Sequence, residues 1–240
     1  MDNNIIAATG PHTVAAGRGA SWLMEGFAFF RQDWLSWIGL AILLIVLTMV
    51  SSVIPVANIL VPVIAPVIFA GLMLACRQQD QGGEIGLGII FTGFSQKTGQ
   101  LALIGVAHLI ASVAIIILMA ILMIIILGGL DALSQIQLDD PEIILKHGIN
   151  ILLVTLIGML LYMPVVMAMW FAPAIVIFQE LTAIEAMMLS FKACLINVLP
   201  FLVFIIIGGI PLFLGWLILI PILISSLYLS YKDIFAAEPG

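Results

Sequence analysis

His108 is the one acidic, basic or histidine side chain inside the long apolar run from Leu101 to Leu127, which only Gly105, His108 and Ser112 interrupt. Counted from Leu101 it lies about 10 Å along a helix, well inside the hydrocarbon of a bilayer. An ionisable group at such a depth is costly to bury and is a functional-site candidate by default. Pro164 and Tyr162, in a later apolar run, complete the candidate intramembrane polar site: Pro164 frees the carbonyl of Leu160, as proline-broken helices do where they line a transport site. The competing reading is structural. A neutral imidazole bonds a neighbouring helix, Ala107 and Ala111 allow close helix approach, and no acid within a run completes a proton relay. Tyr162, Trp170 and the twelve methionines read first as packing.

Other chemistry is scarce. Asp139, Asp140 and Glu142 offer oxygen ligands for a divalent cation, but Asp140-Pro141-Glu142 is also how a helix begins, with a cap, a proline at its first position and an acid in its first turn. The capping reading is preferred, and no metal is expected. Cys76 and Cys194 sit beside Arg77 and Lys192 at the edges of apolar runs, without a nearby histidine, and make neither a metal site nor an expected disulfide. H-E-x-x-H, G-x-x-x-x-G-K and G-x-S-x-G are all missing. The chain is therefore expected to be no enzyme, with no catalytic residue and no cofactor, and the lack of a basic patch argues against nucleic acid.

The elements that carry these residues follow from composition. Hydrophobic residues make up 64% of the 240 and charged residues 8%, against about 25% charged in soluble domains. A soluble domain of this size cannot hide so much apolar surface. The fold class is all-α, a polytopic transmembrane helix bundle with six spans, with cytoplasmic interfacial amphipathic helices preceding each helical hairpin.

Residues 1–20 read as a flexible cytoplasmic tail without the basic and apolar regions of a cleaved signal peptide, and 21–235 as a single integral membrane domain. Ser21 to Asp33 mixes aromatic and charged residues and reads as an interfacial helix, with Trp22, Phe30, Arg31, Trp34 and Trp37 as interfacial anchors. The spans are expected near 34–54, 60–76, 101–127, 149–177, 198–210 and 213–231. Pro55, Pro62 and Pro66 argue against a regular helix through all three, so the second span is expected to start between Pro62 and Pro66 and end at Cys76. A polar connection over 128–148 forms the one long external loop, and Pro164 is expected to kink the fourth span.

Thr182 and Glu185 form a capping box that opens a second interfacial helix over 180–197, with Ile184, Met187, Met188, Phe191 and Leu195 on one face and Glu185 and Lys192 on the other; Phe191 and Lys192 are its anchors. Residues 199–229 read as one overlong span or as a hairpin turning at Gly208-Gly209-Ile210-Pro211. The hairpin puts Arg18, Arg31, Arg77, Lys97, Lys192 and Lys232 on one side and only Lys146 on the other, which satisfies the positive-inside rule. Phe30-Arg31, Phe94 to Lys97 and Phe191-Lys192 then precede spans one, three and five, a threefold repeat of interfacial helix plus hairpin.

Several strings resemble a family of uncharacterised bacterial inner-membrane proteins with six helices, itself distantly similar to the membrane domain of glycerophosphodiester phosphodiesterases. They are Gly26 with Phe30-Arg31 and Trp37-Ile38-Gly39; Pro66 with Gly71-Leu72-Met73 and Cys76-Arg77; Phe171-Ala172-Pro173-Ala174; and Ser190-Phe191-Lys192-Ala193-Cys194 with Leu199-Pro200-Phe201, Pro221, Tyr228 and Ser230-Tyr231-Lys232-Asp233. Where that family has a proline two residues after the arginine of its first helix, this chain has Asp33. The resemblance implies a multi-pass protein of the bacterial inner membrane with cytoplasmic N- and C-termini, and supplies no activity.

Together these readings describe an integral inner-membrane protein in an accessory or organising role, its partners being membrane lipids and a membrane protein or a second copy of itself. The alternative is a small transporter or lipid-handling protein with a site between proline-broken helices. The topology makes a direct prediction: cysteines placed at Gln137 and near Pro239 label from opposite faces of the membrane. Labelling from the same face means an even number of crossings after Gln137 and removes the hairpin.

Overall fold

The computed structural model describes residues 10–127, 129, 141–209 and 216–235. It is all-helical, with no strand among the described residues. In chain order the helices are α1 (Arg18–Gln32), α2 (Trp34–Ser52), α3 (Ala57–Asp80), α4 (Thr98–Leu127), α5 (Pro141–Trp170), α6 (Ala172–Phe178), α7 (Ala183–Ile196), α8 (Val198–Gly209) and α9 (Trp216–Phe235), with a 3-10 helix over Leu87–Phe94. The chain forms two compact units, residues 1–106 with 167–240, and residues 107–166. Five segments are long and apolar enough to cross a membrane: Trp34–Ser52, Ile59–Asp80, Thr98–Ile126, His147–Phe178 and Ile218–Phe235. A sixth arises only if α7 and α8, bent by 81° at their junction, count as one span. The fifth span expected at 198–210 is α8 by itself, and its 12 residues reach only about 18 Å, short of a full crossing.

The proline argument for α3 fails. The helix runs through Pro62 and Pro66 and continues to Asp80, one turn beyond Cys76. Four residues apart, the two prolines lie on one face, so the carbonyls they leave without helical donors also share a face. There Gly105 of α4 comes close enough that a Cβ would sit 2.6 Å from the Pro62 carbonyl oxygen, the acceptor Pro66 cannot serve. A neighbouring helix covers the gap, which is the condition for proline inside a membrane helix.

The fourth span has a break beyond Pro164, at Phe171. α5 passes through Pro164 and ends at Trp170; α6 restarts at Ala172 with Pro173 in its first turn. Ser190 of α7 fills the break. The Phe171 N–H donates to Ser190 Oγ at 2.9 Å, and the Ser190 hydroxyl donates to the Met167 carbonyl at 2.7 Å. A side-chain hydroxyl is thus inserted into the i to i−4 bond that Phe171 and Met167 would otherwise make, and Cys194, one turn on, brings its thiol within 3.6 Å of the same carbonyl. The two strings Phe171 to Ala174 and Ser190 to Cys194 are the two halves of this joint.

α1 is built into the protein interior. Gly19, Trp22, Gly26, Phe29 and Phe30 form its buried stripe. Gly19 meets the backbone of Pro200 and Phe204, and Leu23 meets Gly208, so α8 runs parallel to α1. Arg18 and Trp22 bond Asp233 while Gly26 meets the Ile222 carbonyl and Ser226, so α9 runs antiparallel to α1. The chain therefore reverses between α8 and α9, as the hairpin reading requires. Gly208 and Gly209 end α8, while Ile210, Pro211 and the rest of the connection lie outside the described residues. So do most of the acidic loop read over 128–148, including Asp131, Gln137, Asp139 and Asp140, and the C-terminus with Pro239; of Glu142 and Lys146 only the backbone is described.

Asp33 ends α1 by leaving helical geometry and accepts the Ser36 N–H at 3.3 Å, which caps α2. The stretch over 87–97 is mostly the 3-10 helix, whose Ile90 backbone lies against Gly71 and whose Gly93 lies against Val67.

Two predictions follow from these joints. Ser190→Ala leaves the buried Phe171 N–H without its partner and the Met167 carbonyl with the Cys194 thiol alone, and lowers unfolding stability by about 1–3 kcal/mol; an unchanged unfolding midpoint in detergent means that the hydroxyl does not hold the break. Gly26→Ala tests opposing effects, since helix propensity favours alanine by about 1 kcal/mol. Its Cβ, however, would stand 2.9 Å from the Ile222 carbonyl oxygen. Overpacking against backbone costs about 1–3 kcal/mol, so the variant melts below the wild type.

Candidate functional site

The polar side chains of the first unit form a layer that ties helix ends together. Gln79 donates to the Phe29 carbonyl at 2.7 Å and accepts the Trp37 indole N–H at 2.6 Å, joining α1, α2 and α3 through one buried amide. Asn197, at the α7–α8 corner, accepts the Val14 N–H at 2.8 Å and donates to the His12 carbonyl at 2.9 Å. The Arg18 guanidinium donates to Asp233 at 2.7 Å and to Glu25 at 2.9 Å, and Asp233 raises its pKa further, so it is a permanent cation. Lys232 pairs with Asp80 at 2.7 Å, Arg77 lies 5.4 Å from the ring centre of Phe178, and Lys97 meets Glu180 at 3.6 Å. This chain of contacts gathers Arg18, Arg77, Lys97 and Lys232 at one end of the unit.

The second unit holds the intramembrane pair. Tyr162 and His108 are brought together, the phenol oxygen 3.3 Å from His108 Nε2 and the rings 6.0 Å apart. His108 Nδ1 is buried without a partner among the described residues, and so is the hydroxyl of Ser112, one turn further along α4. Pro164 is not part of this contact: it is exposed, two residues beyond Tyr162. The arrangement supports a hydrogen bond between two helices. Among the described residues no three His, Cys, Asp or Glu side chains converge on a metal position.

Two clefts open outward, one lined wholly by apolar residues and one by apolar residues together with Glu185 and Lys192. One cleft of about 330 Å³ lies between α1 and the α8–α9 hairpin, lined by Leu23, Met24, Phe27, Ile207, Ile218, Leu219 and Ile222. A second, of about 340 Å³, runs along α7 beside Leu181, Glu185, Met188, Leu189 and Lys192. α7 is reversed relative to a soluble amphipathic helix: Ala183, Ala186, Ser190, Ala193 and Cys194 face inward, and Ile184, Met188 and Leu195 face outward. Small residues at the contact and large ones outside suit association in lipid, where there is no hydrophobic drive to bury the large ones.

The residues read as interfacial anchors divide. Trp22 and Trp37 are fully buried and Phe30 nearly so, each packed by other helices, so they are core groups and not headgroup-facing rings. Trp22 lies 5.5 Å from Phe201, ring to ring, and gives its indole N–H to Asp233 at 2.9 Å. Trp34, Arg31 and Lys192 are on the surface, and Phe191 is half-buried. Sequence reasoning passed over Gln79, Asn197 and the hydroxyl of Ser190 as polar groups that organise the core. A lone amide or hydroxyl near an apolar run was the available signal.

No family model matches this chain, and no solved structure matches it. It is similar to a protein of Burkholderia thailandensis described as a probable inner membrane protein, 28% identical over 192 aligned residues that cover 75% of this chain and 68% of the relative. With the apolar helices described above, the chain is an integral, multi-pass membrane protein of unknown activity.

Proposed function

We propose that this protein is a non-enzymatic component of the bacterial inner membrane with an accessory or organising role, acting through the surface it presents to lipids and to membrane partners. One observation carries the reading. The buried polar side chains Gln79, Ser190 and Asn197 are occupied in holding helices to each other, while the clefts that open outward are lined largely or wholly by apolar residues. Such a protein meets the bilayer with largely apolar grooves and uses these three buried polar side chains to hold its helices together. The printed description of the relative from Burkholderia thailandensis supports the inner membrane as the site. The basic end at Arg18, Arg77, Lys97 and Lys232 supports cytoplasmic N- and C-termini.

The second reading, a small transporter, rests on the unpartnered Nδ1 of His108 and hydroxyl of Ser112, polar atoms that a conduction path would use. Proteoliposomes loaded with a pH-sensitive dye separate the two. Under the packing reading, wild-type vesicles leak protons no faster than protein-free ones, and His108→Leu changes stability but not leak. Proton flux that requires the wild-type protein and is abolished by His108→Leu overturns it in favour of transport.

A further inference from the structure

The cleft between α1 and α8–α9 ends beside Arg31, a cation with no carboxylate partner among the described residues. Its walls are wholly apolar, and Met24, Phe27, Ile207 and Ile218 on its rim are exposed, so the space opens sideways. Its volume of about 330 Å³ stands at the small end of ligand pockets, room for part of one chain and not for a folded polypeptide. Water gains no hydrogen bonds there, so in a membrane the space fills with hydrocarbon.

Arg31 stands over the rim. Its guanidinium carbon is 5.9 Å from the ring centre of Phe27, a cleft residue one turn earlier on α1, which orients the group by a cation–π contact. Arg18 has Asp233 and Glu25, Lys232 has Asp80 and Lys97 has Glu180, whereas Arg31 has no carboxylate partner among the described residues. Asp33, two residues on, turns its carboxylate to the Ser36 N–H. Membrane-crossing α2 begins at Trp34, three residues after Arg31, and the Trp34 indole is exposed, as rings that sit beside headgroups are.

We propose that this cleft and Arg31 together form a binding site for an anionic phospholipid, with one acyl chain in the groove and the phosphate on the guanidinium. Arginine presents paired N–H donors that match two phosphate oxygens. An anionic headgroup is favoured over a zwitterionic one because the latter brings its own ammonium to a cationic rim. This inference rests on the lipid-facing role proposed above and names the lipid class.

The test uses the full-length protein in mild detergent with equal amounts of phosphatidylglycerol and phosphatidylethanolamine, and native mass spectra that count the bound lipids. Wild type is expected to retain phosphatidylglycerol in preference. Arg31→Gln is expected to lower the ratio of the two lipids about fivefold while keeping total lipid, the worth of one basic group near an anionic surface. Ile207→Trp, at an exposed rim position, fills the groove and is expected to lower the binding of both lipids. A wild-type ratio in Arg31→Gln, or undiminished binding in Ile207→Trp, overturns the site. A wild type with no headgroup preference also overturns it and leaves the accessory reading intact, since that reading fails only on His108-dependent flux.

Discussion

A backbone group without a partner in hydrocarbon costs several kcal/mol, and this chain interrupts its own helices at Pro62, Pro66, Pro164, Phe171 and Pro221. At two of these places the structure shows the neighbour that covers the gap. At Phe171 the cover is a hydroxyl from α7, which replaces the missing helical bond with two of its own. At Pro66, which leaves the Pro62 carbonyl without its donor, it is the bare backbone of Gly105. The positions of α7 and of the first part of α4 are set by these needs, and with them much of the first unit.

Glycine does for contact what the polar groups do for bonding. In lipid, apolar side chains gain nothing by leaving hydrocarbon for protein, so helices associate through close packing and a few hydrogen bonds. Gly19 and Gly26 let α1 approach both arms of the α8–α9 hairpin at backbone distance, and Gly71 and Gly93 do the same between α3 and the 3-10 helix. Of the charged residues that lie among these helices, Arg18 pairs with Asp233 and Glu25, and Lys232 pairs with Asp80.

The sequence alone determined the solvent, the all-helical class and the main apolar spans, because those depend on composition and on runs of residues long enough to cross hydrocarbon. The capping box at Thr182 and Glu185 was legible for the same local reason, and it forms as read. So was the reversal between α8 and α9, through the placement of basic residues. His108 and Tyr162 were legible as polar residues in apolar runs, and they do meet.

Only the tertiary structure decided what covers each break and which rings are buried. The prolines of α3 looked prohibitive because sequence shows the donor that is lost and not the helix that shields the freed carbonyl. Trp22 and Trp37 looked like headgroup anchors because aromatic rings beside charge suit an interface; α9 and α3 supply Asp233 and Gln79 to take their indole N–H groups, and burial follows. Partners of this kind lie 42 and 211 residues away along the chain, beyond the reach of any local pattern.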